Sequence, residues 1–217
     1  MLFFLHIPKT AGTSVYNALH QMAPGRVAWY SGPTDTLTRF LSTPGIRGSV
    51  TIYGGHFGYK QIRGFLAPGD KIFSVIREPV ERVLSTYNHV AVRDPTHPLH
   101  EQLKNLSIIE AAKASSLFRM EISNRQCFYL SGTTIFEDTR QVVIDGNIQV
   151  YTTSQLGLLI SHMAAACGVS DPPEIGSHNV AEDDYKARAT AEEIELINQL
   201  NWEDCKLYAH FSKIEII

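Results

Sequence analysis

The amino-acid sequence predicts an α/β protein of three layers, α/β/α, built on a central and mainly parallel sheet. Three observations carry that expectation. Lys71-Ile72-Phe73-Ser74-Val75-Ile76 is a short, nearly continuous apolar run of the kind buried on both faces in a parallel strand. This run and Phe3-Phe4-Leu5 each pass through a short turn straight into a helical pattern. Strand-like and helix-like segments then alternate along the chain, which calls for helices on both faces of one sheet.

Taken in order, Phe3-Phe4-Leu5 is the first strand, and a Gly/Thr/Ser turn leads to the helix begun by Val15-Tyr16-Asn17-Ala18-Leu19. Residues 24–49 are rich in Gly, Pro, Ser and Thr and read as loops with one short helix near 36–41. Val50-Thr51-Ile52-Tyr53 reads as a second strand that Gly54-Gly55 ends. After the third strand at 71–76, Pro79 sits at a first helical position, and Val80, Val83, Leu84 and Tyr87 form one apolar face. Residues 94–146 open on an Asp94-Pro95-Thr96-His97-Pro98 break and then read as mainly helical. Asn147 to Tyr151 is the fourth expected strand; Leu156, Leu159, Ile160, Met163 and Cys167 mark a helix stopped by Gly168. Residues 170–177 form a loop with two prolines. Thr190 and Glu193 form a capping box, and Leu200, Asp204, Leu207, Tyr208 and Phe211 continue a helical face.

Bulk properties narrow the function. The 217 residues suit one domain spanning 1–217, with 44% hydrophobic and 19% charged residues and a net charge of -3. Such a balance sets up no global basic field, so nucleic acid is not the expected partner. Cys127, Cys167 and Cys205 are sparse and odd in number, which argues against a disulfide framework or structural zinc and suits a reducing, cytoplasmic setting. Met1-Leu2-Phe3-Phe4-Leu5 is too short for a membrane span or signal core and reads as a buried strand.

The chemistry concentrates in His6-Ile7-Pro8-Lys9-Thr10-Ala11-Gly12-Thr13-Ser14. A strand that ends in a small-residue loop and opens a helix is an anion site, because the first helical N–H groups lack partners and the helix dipole favours negative charge. Lys9 adds a cation, Thr10, Thr13 and Ser14 add hydroxyls, and Gly12 permits close approach. The nucleoside-triphosphate loop places lysine directly after its second glycine. Lys9 instead precedes Gly12, so that motif fails.

The nine-residue loop resembles the 5'-phosphosulfate loop of carbohydrate sulfotransferases, above all the heparan sulfate 2-O-sulfotransferase-like group. Val75-Ile76-Arg77-Glu78-Pro79-Val80-Glu81-Arg82-Val83-Leu84-Ser85-Thr86-Tyr87 resembles their 3'-phosphate strand and helix. Asn124-Arg125-Gln126-Cys127-Phe128-Tyr129-Leu130-Ser131-Gly132 is similar to a segment after their middle helices, and Ser177-His178-Asn179-Val180 to the loop that closes over the nucleotide. Acidic Glu182, Asp183 and Asp184 stand where that family carries basic residues, with Lys186 later. The resemblance implies a P-loop-NTPase-like fold. It implies 3'-phosphoadenosine 5'-phosphosulfate (PAPS) as donor and adenosine 3',5'-bisphosphate (PAP) as product. It further implies a 3'-phosphate held by Arg77 and Ser85. Arg82 reads instead as a partner of Glu78 on a solvated face.

Sulfuryl transfer to a hydroxyl needs a charge clamp, help for the leaving oxygen and a base. Lys9 suits the first two roles. His56, after the second strand at the carboxyl edge of the sheet, suits the third, and its position also matches the catalytic histidine of the resembled group. His89 and Glu81 stand in reserve, His6 reads as structural, and His97 with His100 falls in a proline-broken loop that does not suggest a metal. Tyr59, Lys60 and Arg63, or His89, Arg93, Asp94 and His97, line an acceptor cleft or a solvated surface. The acceptor is expected to be a hydroxyl-bearing saccharide or small molecule, with no metal required. Two other readings stand beside this one: a kinase with an atypical phosphate loop, and a nucleotide-binding module without chemistry.

Overall fold

The computed structural model describes residues 1–31, 34–175 and 189–213. Five strands, β1 (Leu2–Leu5), β2 (Val27–Tyr30), β3 (Ile52–Gly55), β4 (Lys71–Ile76) and β5 (Ile148–Thr152), form one sheet in the order β2-β3-β1-β4-β5. Every pairing is parallel. The helices are α1 (Gly12–Met22), α2 (Thr34–Leu41), α3 (Ile46–Ser49), α4 (Tyr59–Ile62), α5 (Pro79–Tyr87), α6 (His100–Leu103), α7 (Ile108–Ala114), α8 (Ser116–Glu121), α9 (Arg125–Ser131), α10 (Phe136–Asp145), α11 (Leu156–Cys167), α12 (Ala191–Leu200) and α13 (Trp202–Phe211). A π-helical stretch, Asn88–Arg93, follows α5.

Alternate side chains of each strand supply opposite faces, as the strand period demands. Phe3, Leu5, Ile72 and Ile76 enter one core with Cys127 and Leu130 of α9 and Leu207 and Phe211 of α13. Leu2, Phe4, Phe73 and Val75 enter the other with Val15 and Leu19 of α1 and Leu159 and Met163 of α11. A third cluster joins Val83, Val90, Leu103, Ile108, Phe118 and Ile197 away from the sheet. The chain leaves β1 toward the α1 face and leaves β4 toward α12 and α13. The crevice between those two strand ends is therefore where an open α/β fold binds its ligands.

The expected layers, the strand at 71–76, Pro79 in the first turn of α5, the left-handed Gly168 after α11 and the Thr190–Glu193 capping box are all present. Three expectations need correction. The segment 24–49 contains β2, a sheet-edge strand whose four residues are all half-buried, so it carries no alternating signal. β3 runs through Gly54 and Gly55 instead of ending before them. A Cβ on Gly54 would lie 2.7 Å from the Trp29 ring, and one on Gly55 would lie 1.9 Å from the Tyr30 carbonyl oxygen. Those glycines make room for the edge strand. β5 begins at Ile148 because Asn147, at φ 47°, is still in the preceding turn.

Candidate functional site

The ladder continues one residue past β1, where His6 N–H donates to the Gly55 carbonyl at 2.9 Å. The chain then turns through Lys9 (φ 70°) and Ala11 (φ 65°), both left-handed although neither is glycine. The fully buried Thr10 locks this turn, its hydroxyl donating to the Ile7 carbonyl at 2.8 Å. Thr10 therefore holds the loop's shape and does not offer its hydroxyl proton to a ligand. No side chain caps α1 at Ala11, and no acidic residue lies in its first turn. The result is a strained turn aimed at an uncapped helix start, an arrangement suited to anions. Thr13 is exposed there, whereas Ser14 is buried.

Gly12 is required by packing. A Cβ at that position would lie 1.8 Å from Nε2 of His6. The His6 ring is buried among Phe4, Trp29 and His56, at centroid separations of 6.1, 5.4 and 4.3 Å. Burial, then the charges of His56 and Lys9, lower its pKa to about 3, so His6 is neutral. Its Nδ1 is buried without a partner. The structural role expected for His6 is thus specific: the ring joins the loop to His56.

Lys9 is half-buried, and loss of hydration lowers its pKa first, followed by Arg93 and Arg77. Lys9, Arg93 and Arg77 thus share one neighbourhood at the loop. Arg77 stands one residue beyond β4, and its Nη1 lies 3.5 Å from the Lys9 carbonyl oxygen. Its Nε donates to Glu81 at 3.1 Å, an exposed pair of small worth. Ser85, half-buried in α5, is one turn beyond Glu81 and so shares the face that Arg77 reaches.

Arg82 overturns the surface reading. It is fully buried, with Nη2 donating to the Glu121 carbonyl at 3.1 Å, and it lies in the fields of Asp204 and Glu121. Glu78 is not its partner; that carboxylate accepts the Glu81 N–H at 2.8 Å and caps α5.

His56 directly follows β3 and its N–H donates to the Tyr30 carbonyl at 2.9 Å. The side chain is exposed at its rim, while its inner face rests on His6. Desolvation lowers its pKa most; the His6 backbone and Glu121 oppose that shift, and Lys9 adds to it. His89 is likewise lowered, first by desolvation and then by Lys9, and lies 3.9 Å from Asp94. The π-helical stretch carries His89 and Arg93 round to Lys9, as such bulges often do at functional sites. His97 accepts the Leu99 N–H and His100 pairs with the Val90 carbonyl, so the two rings serve separate turns. Tyr59 and Lys60 lean on Gly146 and Gly132 of the α9–α10 region. Residues 177–180 and the acidic run after them lie outside the described residues, among which no group of three or more His, Cys, Asp or Glu could hold a metal. No helix among the described residues is long and apolar enough to cross a membrane.

The buried polar residues behind this site, Gln126, Asn201 and Asp204, were not singled out by sequence reasoning as functional. Gln126 stands out in the sequence only through the likeness of the Asn124–Gly132 segment and Asp204 only as part of a helical face, and neither feature carries a role.

No protein-family model and no curated protein matches the chain by sequence. Among solved structures, mouse sulfotransferase SULT7A1 complexed with PAP superposes with a TM-score of 0.53 at 10% identity, over 99% of this chain and 88% of that one. A sulfotransferase from Alicyclobacillus acidocaldarius gives a TM-score of 0.49 at 14% identity, over 99% and 96%. The mouse enzyme shows the fold class: this chain has the P-loop-like, three-layer α/β fold of a solved sulfotransferase.

Proposed function

We propose that this protein is a sulfotransferase that moves the sulfuryl group of PAPS to an acceptor hydroxyl. The observation that carries the reading is the convergence of Lys9, Arg77 and Arg93 on a strained loop before an uncapped helix, with His56 across the adjoining strand end. The PAP complexed with mouse SULT7A1 supports the choice of nucleotide. The loop from Lys9 to Ser14 holds the 5'-phosphosulfate through backbone N–H groups, with Gly12 allowing close approach and Thr13 adding a hydroxyl. Arg77 and Ser85 hold the 3'-phosphate.

In this scheme the acceptor oxygen attacks sulfur in line with the bridging phosphate oxygen. One S–O bond forms as the other breaks, neutral His56 takes the acceptor proton, and the Lys9 ammonium follows charge onto the departing oxygen. A depressed His56 pKa keeps the imidazole neutral and able to accept. PAP leaves with the displaced oxygen. The acceptor is a saccharide or small hydroxylic molecule, the 217 residues act as one domain, and the setting is cytoplasmic.

Thermal shift with PAP, ADP and ATP–magnesium in parallel tests the reading, because a ligand bound to the native state raises apparent stability. Stabilisation by PAP alone is expected, and a preference for ATP–magnesium would overturn the proposal in favour of a kinase. His56→Ala keeps the PAP response and loses transfer, whereas Arg77→Ala loses the response itself.

A further inference from the structure

Arg77 is the first residue past β4. The last pairing of β4 with β5 is Ile76 with Thr152, so the ladder ends before the Arg77 peptide. A side chain takes the place of the missing strand. Arg77 N–H donates to Oε1 of Gln126 at 2.7 Å, and Nε2 of Gln126 donates to the Arg77 carbonyl at 2.9 Å. A primary amide offers a donor and an acceptor side by side, so it pairs with a backbone residue as a neighbouring strand does. Gln126 is fully buried, 49 residues away in sequence.

Gln126 is itself held. Its N–H and that of Cys127 donate to the two carboxylate oxygens of Asp204 at 3.0 and 2.8 Å. The start of α9 has no side-chain cap of its own, so Asp204 of α13 supplies one. Asn124 returns the bond, its Oδ1 accepting the N–H groups of Glu203 and Asp204 at 3.1 and 3.2 Å. The starts of α9 and α13 are therefore bound reciprocally, and Asp204 lies in the field of the buried Arg82. This rigid assembly ends in one amide gripping the main chain of Arg77. The guanidinium's own partner, Glu81, is an exposed carboxylate.

We infer that Gln126 is a positioning residue for the 3'-phosphate arm: its amide clamps the Arg77 peptide and thereby aims the guanidinium. Gln126 touches no ligand. The inference rests on the PAPS reading above, and it assigns the protein's ability to distinguish a 3'-phosphorylated nucleotide to a residue outside the pocket.

Titration of PAP and of adenosine 5'-monophosphate into the unaltered protein and Gln126→Met, an unbranched change of similar size, tests this. The unaltered protein prefers PAP. In Gln126→Met its affinity for PAP falls roughly 10- to 100-fold, the range by which loss of an orienting partner weakens a metal site. Affinity for adenosine 5'-monophosphate stays within about threefold, as the loop at Lys9 is untouched. Arg77→Ala removes the same preference, and adding Gln126→Met to it costs PAP affinity little more, because both act through one group. A general loss of structure weakens both nucleotides alike, and that result overturns the inference. Preference retained in Gln126→Met also overturns it while leaving the PAPS reading intact. Equal affinities in the unaltered protein overturn both. Should Gln126→Met fail to fold, Gln126→Glu keeps the shape and the acceptor, removes the donation to the Arg77 carbonyl, and is read by the same ratio.

Discussion

Replacing Gly12 by alanine adds one methyl group at a crowded point of the loop between β1 and α1. The new Cβ would lie 1.8 Å from Nε2, 2.0 Å from Cε1 and 2.5 Å from Cδ2 of His6. Carbon contacts settle at roughly 3.5–4.0 Å, so the ring must retreat by about 1.5–2 Å. His56 and Trp29 lie beside it, at centroid distances of 4.3 and 5.4 Å, and leave it little room. Overpacking of this kind costs about 1–3 kcal/mol. For a chain of this length that is a fall in Tm of roughly 2–12 °C. Gly157→Ala is the matched control, since nothing lies within 4 Å of its Cβ position. That change removes a helical glycine from an exposed site and should raise stability by up to about 1 kcal/mol. Urea unfolding of both variants, with circular dichroism as the probe, reads the two signs directly. His6→Ala in the Gly12→Ala background removes the clash, so the double variant should lose less than the sum of the two single losses. If Gly12→Ala lies within about 0.5 kcal/mol of the unaltered protein, the His6 ring is not held over the helix start and the account of the loop is wrong.

The remaining predictions concern charge. His6 has its pKa lowered to about 3 in the fold and an ordinary value of 6.5 when unfolded, so acid favours the unfolded chain. The stability this neutral ring permits is full above 6.5 and is lost as pH falls from there toward 3. At a limiting slope of about 1.36 kcal/mol per pH unit, the loss between about pH 8 and 5 is about 2 kcal/mol, and His6→Phe should abolish that part of the acid dependence in urea titrations at the two pH values. Because the His56 pKa is also lowered, kcat/KM for transfer should stay level through neutral pH and fall only below about 6.5. An acid limb centred above 7 rules His56 out as the base. Arg82→Met leaves the Glu121 carbonyl without its donor and takes the positive field from the buried Asp204, and should cost about 1–3 kcal/mol in the same unfolding assay.

The contrast between Lys9 and Arg82 explains what the sequence could reveal. The loop between β1 and α1 is legible because all its parts are consecutive: a strand end, a turn, a helix start, and a lysine between them. β1 and β4 are legible for a related reason, since strands buried on both faces appear as unbroken apolar runs. β2 is not, because an edge strand buried halfway at every position has no period to read. Gly54 and Gly55 look like a strand's end to any local reading; only the presence of Trp29 and Tyr30 beside them shows why a strand needs them. Arg82 misleads in the same way. Glu78 stands one turn before it and invites a surface pair, whereas the carboxylate whose field it shares, Asp204, comes from the last described helix. Nothing local predicts that an arginine in an amphipathic helix will be fully buried, in the field of a residue so distant. Gln126 belongs to this second kind, as its partner is a peptide in another element. Groups that meet a ligand cluster in sequence when one loop presents them. Groups that aim those residues come from wherever the fold has a buried polar atom to satisfy, and their pairing becomes visible only once the helices are placed.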